Sequence, residues 1–184
     1  MKTENNVMYI LRLTVTLLLI CAVVALALAG VNAITKDRIA EVKAEKTRKA
    51  ISAVLPGVQE VQEVPFSDAT GMVTTVYKAD VGYAVEVVPT GFNGGITLMV
   101  GVDSDGKVLG ISVVSHAETA GLGAVAAAKN AKGQAFRDSF IGLSGSVAPS
   151  KDGGQADTIT GATITSRAIC DGVNAALACV ENMG

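Results

Sequence analysis

Asp157 to Ser166 reads DTITGATITS, a crowd of hydroxyls and small residues immediately ahead of a helical pattern. Two chemistries suit it. Ser and Thr before an apolar helix commonly cap it, their side-chain oxygens accepting from backbone N–H groups that have no intrahelical partner. The same place also suits a phosphate, because Gly161 and Ala162 let a bulky group approach the backbone and a helix N-terminus offers N–H donors and a positive dipole. The hydroxyl of Thr163 then stands where a phosphate could be bound or bonded.

Two further stretches carry groups of interest. Gly91-Phe92-Asn93-Gly94-Gly95 precedes an apolar run, and its glycines serve either a loop turn or the close approach of a ligand. His116 to Gly123, HAETAGLG, sets a histidine, a carboxylate and a hydroxyl ahead of two glycines. By residue type alone, His116 reads as a hydrogen-bonded loop residue and Leu122 as core. Other chemistry finds little support. Asp103-Ser104-Asp105-Gly106 begins like a calcium loop but lacks the later acidic ligands, so it reads as a hairpin turn. Cys21, Cys170 and Cys179 form no disulfide framework, CxxC metal pair or iron–sulfur spacing, and read as small buried apolar residues. There is no dinucleotide fingerprint, and neither a metal site nor a catalytic acid–base group is expected.

Taken together, these motifs resemble the FMN-binding domain family. Asp157, Thr160, Gly161, Ala162 and Thr163 match its D-x-x-T-G-A-T motif, and HAETAGLG matches H-x-E-T-P-G-L-G with Ala120 at the proline position. The Gly91–Gly95 segment resembles the family's glycine-rich turn. Replacing proline by alanine frees the local φ and restores an N–H. The resemblance implies FMN joined to Thr163 through a phosphoester, with Thr160, Gly161 and Ala162 beside the attachment and Asp157 recognised by a flavin transferase. It implies that Glu118 and Thr119 hydrogen-bond the flavin or order its loop, and that Leu122 and Gly123 pack near the ring. No proton-transfer role is assigned to His116.

The family includes G subunits of Rnf complexes, which are ion-translocating ferredoxin:NAD oxidoreductases, and C subunits of sodium-pumping NADH:quinone oxidoreductases. The compact chain favours the first kind: an electron-relaying flavoprotein subunit of a larger enzyme, partnered by other membrane subunits and unable to catalyse the full reaction alone. The alternatives are the C subunit, or an anchored FMN-binding sensory protein without electron-transfer partners.

The elements that must position these groups follow from composition and periodicity. The 184 residues suffice for one membrane element and one globular domain. A net charge of −2 with 17% charged residues argues against a nucleic-acid partner, which would want a clustered basic face, and the positive mean hydropathy points to a lipid bilayer. Leu13 to Val31 carries no charge and is about the length required to span a ~30 Å hydrocarbon core. It exceeds the usual ~7–15-residue apolar region of a cleavable signal, so a retained anchor is expected.

Lys2 and Arg12 flank the anchor on one side, while Lys36, Arg38, Lys43, Lys46, Arg48 and Lys49 follow it. Counted alone, that pattern places the following domain in the cytoplasm. The resemblance implies instead that it lies on the outer face of a bacterial plasma membrane. The expected organisation is a cytoplasmic N-terminus at 1–12, a transmembrane helix at 13–31, a helical stalk at 32–57 and an FMN-binding domain at 58–184.

In that domain, Val73–Lys78, Gly82–Val88, Ile96–Asp103 and Lys107–Ser115 are rich in Val, Ile, Thr and Tyr between turn residues, predicting an antiparallel sheet. Alternation of Ile96, Leu98, Val100 and Val102 with Thr97, Met99, Gly101 and Asp103 predicts a half-buried strand. Short helices are predicted at Ala124–Asn130 and Gln134–Phe140, separated by Gly133, then a surface loop at Ile141–Asp157. Ile164, Ala168, Ile169, Val173, Ala176, Leu177 and Val180 recur at helical intervals towards the C-terminus. The fold class is α+β: an N-terminal transmembrane helix, then an antiparallel sheet flanked by helices.

Overall fold

In the computed structural model, which describes residues 2–58 and 60–183 with side chains from Val7 onward, the fold is α+β. The flanking charge expected at Lys2 lies outside the described side chains. The chain divides into two compact units, 1–45 and 46–184.

The first unit is helical. Helix α1 (Lys2–Val54) begins in it, and the apolar side chains between Val7 and Ile34 point away from any protein neighbour; Leu26 is 73% exposed. This helix is long and apolar enough to cross a membrane. Thr14 and Thr16 donate their hydroxyls to the carbonyls of Ile10 and Arg12, which satisfies both polar groups within the apolar run. Cys21, expected to be buried, is exposed on this helix.

The second unit is built on a five-stranded antiparallel sheet in sequential order: β1 (Gln62–Val64), β2 (Val73–Ala79), β3 (Gly82–Val87), β4 (Thr97–Val102) and β5 (Val108–Ser115). Strand β1 is too short to give an alternation signal and was not anticipated. The turn between β4 and β5 is the expected hairpin: Asp103 Oδ1 accepts from the N–H groups of Asp105 and Lys107, and Gly106 takes φ +75°.

Strand β4 is buried on both faces, contrary to the half-buried expectation. Leu98, Val100 and Val102 face a core shared with α2 (Ala131–Asp138) and α3 (Thr163–Glu181), including Phe136, Phe140, Ile169 and Val173. On the other face, Ala84 and Met99 pack with Ala50, Ile51, Val54 and Leu55 at the end of α1. That end is therefore core. The opposed pair Gly101 and Gly110 makes room for it, since a Cβ on Gly101 would stand 2.5 Å from the Val54 carbonyl oxygen.

Helix α2 starts earlier than predicted because Asn130 caps it, its side chain accepting from Gly133 N–H at 2.9 Å. Gly133 thus lies inside the helix. The predicted helix before it is a short 3-10 turn, Gly123–Ala127. Phe136 and Phe140 meet edge to face with centroids 5.3 Å apart. Helix α3 closes the unit and is buried around most of its circumference. Cys170 and Cys179 are both covered although they lie on different faces, and burial, with Asp171 and Asp152 adding to it, pushes the Cys170 thiol up to about 12.

Candidate functional site

The start of α3 determines what Thr163 can do. Ala162 occupies the cap position with φ −130° and ψ 51°, and no side chain caps the helix. The hydroxyls that could have done so are engaged elsewhere or displaced. Ser166 Oγ donates to the Ala162 carbonyl and accepts from Ile159 N–H, both at 3.0 Å. Thr163 is the first helical residue, half-buried. The N–H groups of this first turn lack intrahelical acceptors, as at any helix start, and the N-cap residue Ala162 has no side-chain acceptor to offer them. Gly161 turns into the helix at φ +79°, a conformation that disfavours other residues.

Beside Thr163 lies a cation that sequence pattern leaves in an undifferentiated surface loop. Lys151 Nζ donates to Thr163 Oγ1 at 3.3 Å. Lys151 sits in a 3-10 turn, Ser150–Asp152, fastened on both sides. Asp152 takes a two-pronged ion pair from Arg167 of α3, at 2.7 Å for each contact, and this hydrogen bonding holds its carboxyl below the usual carboxylate range. Thr158 Oγ1 lies 3.1 Å from Ser150 Oγ and accepts from Lys151 N–H at 3.3 Å.

Glu118 joins the loops around this helix start. It is 9% exposed, and both carboxylate oxygens are occupied: Thr165 Oγ1 donates to Oε2 at 2.5 Å and Asn93 N–H donates to Oε1 at 3.0 Å. Asn93 Nδ2 also donates to Thr119 Oγ1 at 3.1 Å. The carboxylate thereby ties the Gly91–Gly95 turn, the His116–Gly123 loop and the first turn of α3. Two glycines explain themselves here: a Cβ on Gly91 would stand 2.5 Å from Glu118 Oε1, and one on Gly123 would collide with Glu118 Oε2. His116 Nδ1 accepts from Glu118 N–H at 3.1 Å, a loop-ordering role.

The remaining residues expected at the site fall as follows. Leu122 is 44% exposed, and its Cδ2 would lie 3.1 Å from a Cβ on Gly161, so the His116–Gly123 loop reaches the Thr163 turn. Thr160 and Gly161 are exposed and Ala162 is buried. Asp157 is exposed, with its N–H donated to Ser139 Oγ at 3.0 Å. Asn93, Lys151 and Thr165 were not anticipated as site residues.

An FMN phosphate fits these residues. The uncapped helix start supplies donors, Lys151 supplies a cation, and Gly161 removes the side chain that would crowd the approach. Phe92, Leu122 and Ile164 are 65%, 44% and 51% exposed on the elements joined at Glu118, giving apolar surface for a ring system.

Comparison with known proteins agrees in both halves of the chain. Residues 91–178 match the FMN-binding domain family, and residues 1–54 match the RnfG N-terminal region. The G subunit of the ion-translocating oxidoreductase complex of Methanosarcina acetivorans is 34% identical over 91% of this chain and 93% of its own. The protein of the same name from Aliivibrio fischeri is 35% identical over 85% of this chain and 83% of its own. The G subunit of the Na(+)-translocating ferredoxin:NAD(+) oxidoreductase complex of Acetobacterium woodii is 29% identical over 99% and 97% respectively.

Proposed function

This chain belongs to the family of G subunits of ion-translocating oxidoreductase complexes, and on that footing we propose that it is a membrane-anchored flavoprotein relaying electrons within an Rnf-type ferredoxin:NAD oxidoreductase. Its FMN is attached covalently to Thr163. The observation that carries this reading is the position of the Thr163 hydroxyl at an uncapped helix start, flanked by loops that converge on Glu118. The relatives from all three organisms are G subunits, which favours the Rnf-type reading over the quinone oxidoreductase C subunit.

Bound FMN supplies the redox chemistry, and the chain supplies attachment, orientation and polarity. Attachment as a phosphodiester requires a donor whose FMN phosphate is activated as a pyrophosphate, such as a flavin dinucleotide. Thr163 Oγ forms the new O–P bond as the pyrophosphate P–O bond breaks. The nucleoside monophosphate leaves, and the hydroxyl proton passes to solvent or to the flavin transferase. Thr160, Gly161 and Ala162 keep the backbone open to the phosphate, and exposed Asp157 is available to the transferase. Glu118 and Thr119 order the flavin loop through Asn93 and Thr165, while Leu122 and Gly123 form a wall beside the ring.

Helix α1 anchors the chain in the bacterial plasma membrane with the sheet domain on the outer face, among other membrane subunits of the complex. Covalent attachment then prevents loss of the cofactor where it could not be replaced from the cytoplasm. The test is peptide mass spectrometry of the protein coexpressed with a flavin transferase: a Thr163 peptide heavier by FMN less one water is expected, and an unmodified peptide overturns the reading. Protease accessibility in intact cells tests orientation, and full protection of the domain would invert the topology.

A further inference from the structure

We infer that Lys151 is the positioning residue for the phosphate at Thr163, held there by the Asp152–Arg167 clasp. This rests on attachment of FMN at Thr163. A phosphodiester carries one negative charge, and placing it at the start of α3 calls for a partner beyond the helix N–H groups. Lys151 Nζ, 3.3 Å from Thr163 Oγ1, lies next to the atom that would bear the phosphorus. Once the ester forms, the bridging Thr163 Oγ is a weaker acceptor than the non-bridging phosphate oxygens, which carry the charge, and the lysine turns its donors to them.

The turn that holds this lysine is fixed more firmly than an exposed loop requires. Asp152 is gripped by Arg167, one turn along α3 from Thr163, so the same helix that presents the hydroxyl also fixes the cation's backbone. Thr158 secures the turn from the other end through Ser150 Oγ and Lys151 N–H. A further backbone hydrogen bond runs from Ser150 N–H to the Ala156 carbonyl at 2.6 Å. Lys151 itself is exposed and contributes no apolar packing to the core. Its placement therefore serves the helix start.

The experiment compares full-length wild type, Lys151→Met, Lys151→Arg and Asp152→Asn, each coexpressed with a flavin transferase. Intact mass gives the rate and extent of flavin loading, and phosphorus NMR of the loaded protein reports on the phosphodiester. Lys151→Met is expected to load roughly five- to tenfold more slowly, a single charge-assisted contact weakened by solvent, with a displaced phosphorus resonance and an unchanged melting temperature. Lys151→Arg should restore both, and Asp152→Asn should show a smaller version of the same defect. Wild-type loading rate and an unmoved resonance in Lys151→Met would overturn the inference while leaving attachment intact. An unloaded wild type would instead remove the reading on which it rests.

Discussion

Removing Glu118 should loosen three parts of the site at once, and its geometry sets the size of the effect. The carboxylate receives one hydroxyl donor at 2.5 Å and one backbone donor at 3.0 Å, inside a region where Thr165 is only 1% exposed. Hydrogen bonds to a charged acceptor contribute about 1.5–3 kcal/mol each, and an abandoned buried hydroxyl adds a desolvation cost. Glu118→Ala should therefore cost ~3–5 kcal/mol. Glu118→Gln keeps a carbonyl acceptor for Asn93 and offers an amide N–H to the Thr165 hydroxyl, so its cost should fall to ~1–2 kcal/mol.

Thermal unfolding of the full chain in detergent resolves the two, since ~1 kcal/mol moves the midpoint of a domain of this size by roughly 3 °C. A double-mutant cycle with Thr165→Val should return a coupling of ~1.5–3 kcal/mol. Amide exchange at Asn93 should accelerate in Glu118→Ala although that residue lies in a different loop. Equal midpoints for the Ala and Gln variants, or an absent coupling to Thr165, would refute the assignment of Glu118 as the tie between these loops.

Other perturbations separate the remaining claims. Gly101→Ala should destabilise by ~1–3 kcal/mol in a denaturation experiment because its Cβ meets the Val54 carbonyl, whereas Gly110→Ala, with 3.7 Å to Val54 Cα, should change stability little. The clasp should depend on pH in a defined direction: the lowered folded pKa of Asp152 means that its contribution is complete above the ordinary value of 3.8 and is lost as pH falls through the folded value. Carboxyl NMR titration should place the Asp152 midpoint below 3.8, and Arg167→Met should bring it back up. Cys170, pushed up to about 12, and Cys179, also raised by burial, should resist maleimide at pH 8 until the protein is denatured.

What the sequence made legible was local. Enrichment in Val, Ile, Thr and Tyr between turn residues located the four longer strands, and the periodicity beginning at Ile164 located α3, because each pattern is written within a single element. The burial of Met99 was invisible by that route. Its cover comes from Val54, which ends a helix whose earlier part is apolar and exposed, and from Leu55 just after it, and no period in β4 records that. The hydroxyls of DTITGATITS announced a helix start, yet none of them caps it; Ser166 folds back to Ala162 and Thr165 reaches Glu118, 47 positions away in the chain. Lys151 was hidden for a similar reason, being a surface-loop lysine until Arg167 fixes the residue beside it.

The bare start of α3 also links the proposed attachment to folding. A helix without an N-cap forgoes about 1 kcal/mol that Ser, Thr, Asp or Asn would supply. The anionic ester proposed at Thr163 would occupy the same N–H groups and complete the turn from outside the genetic code. By linkage, whatever binds only the ordered turn stabilises it, so the loaded protein should fray less at Gly161–Thr163 and resist proteolysis there. On the proposed attachment, the unmodified turn would stay open to the transferase and the modified turn would close behind it, so that the attachment step would carry its own mark of completion in the backbone.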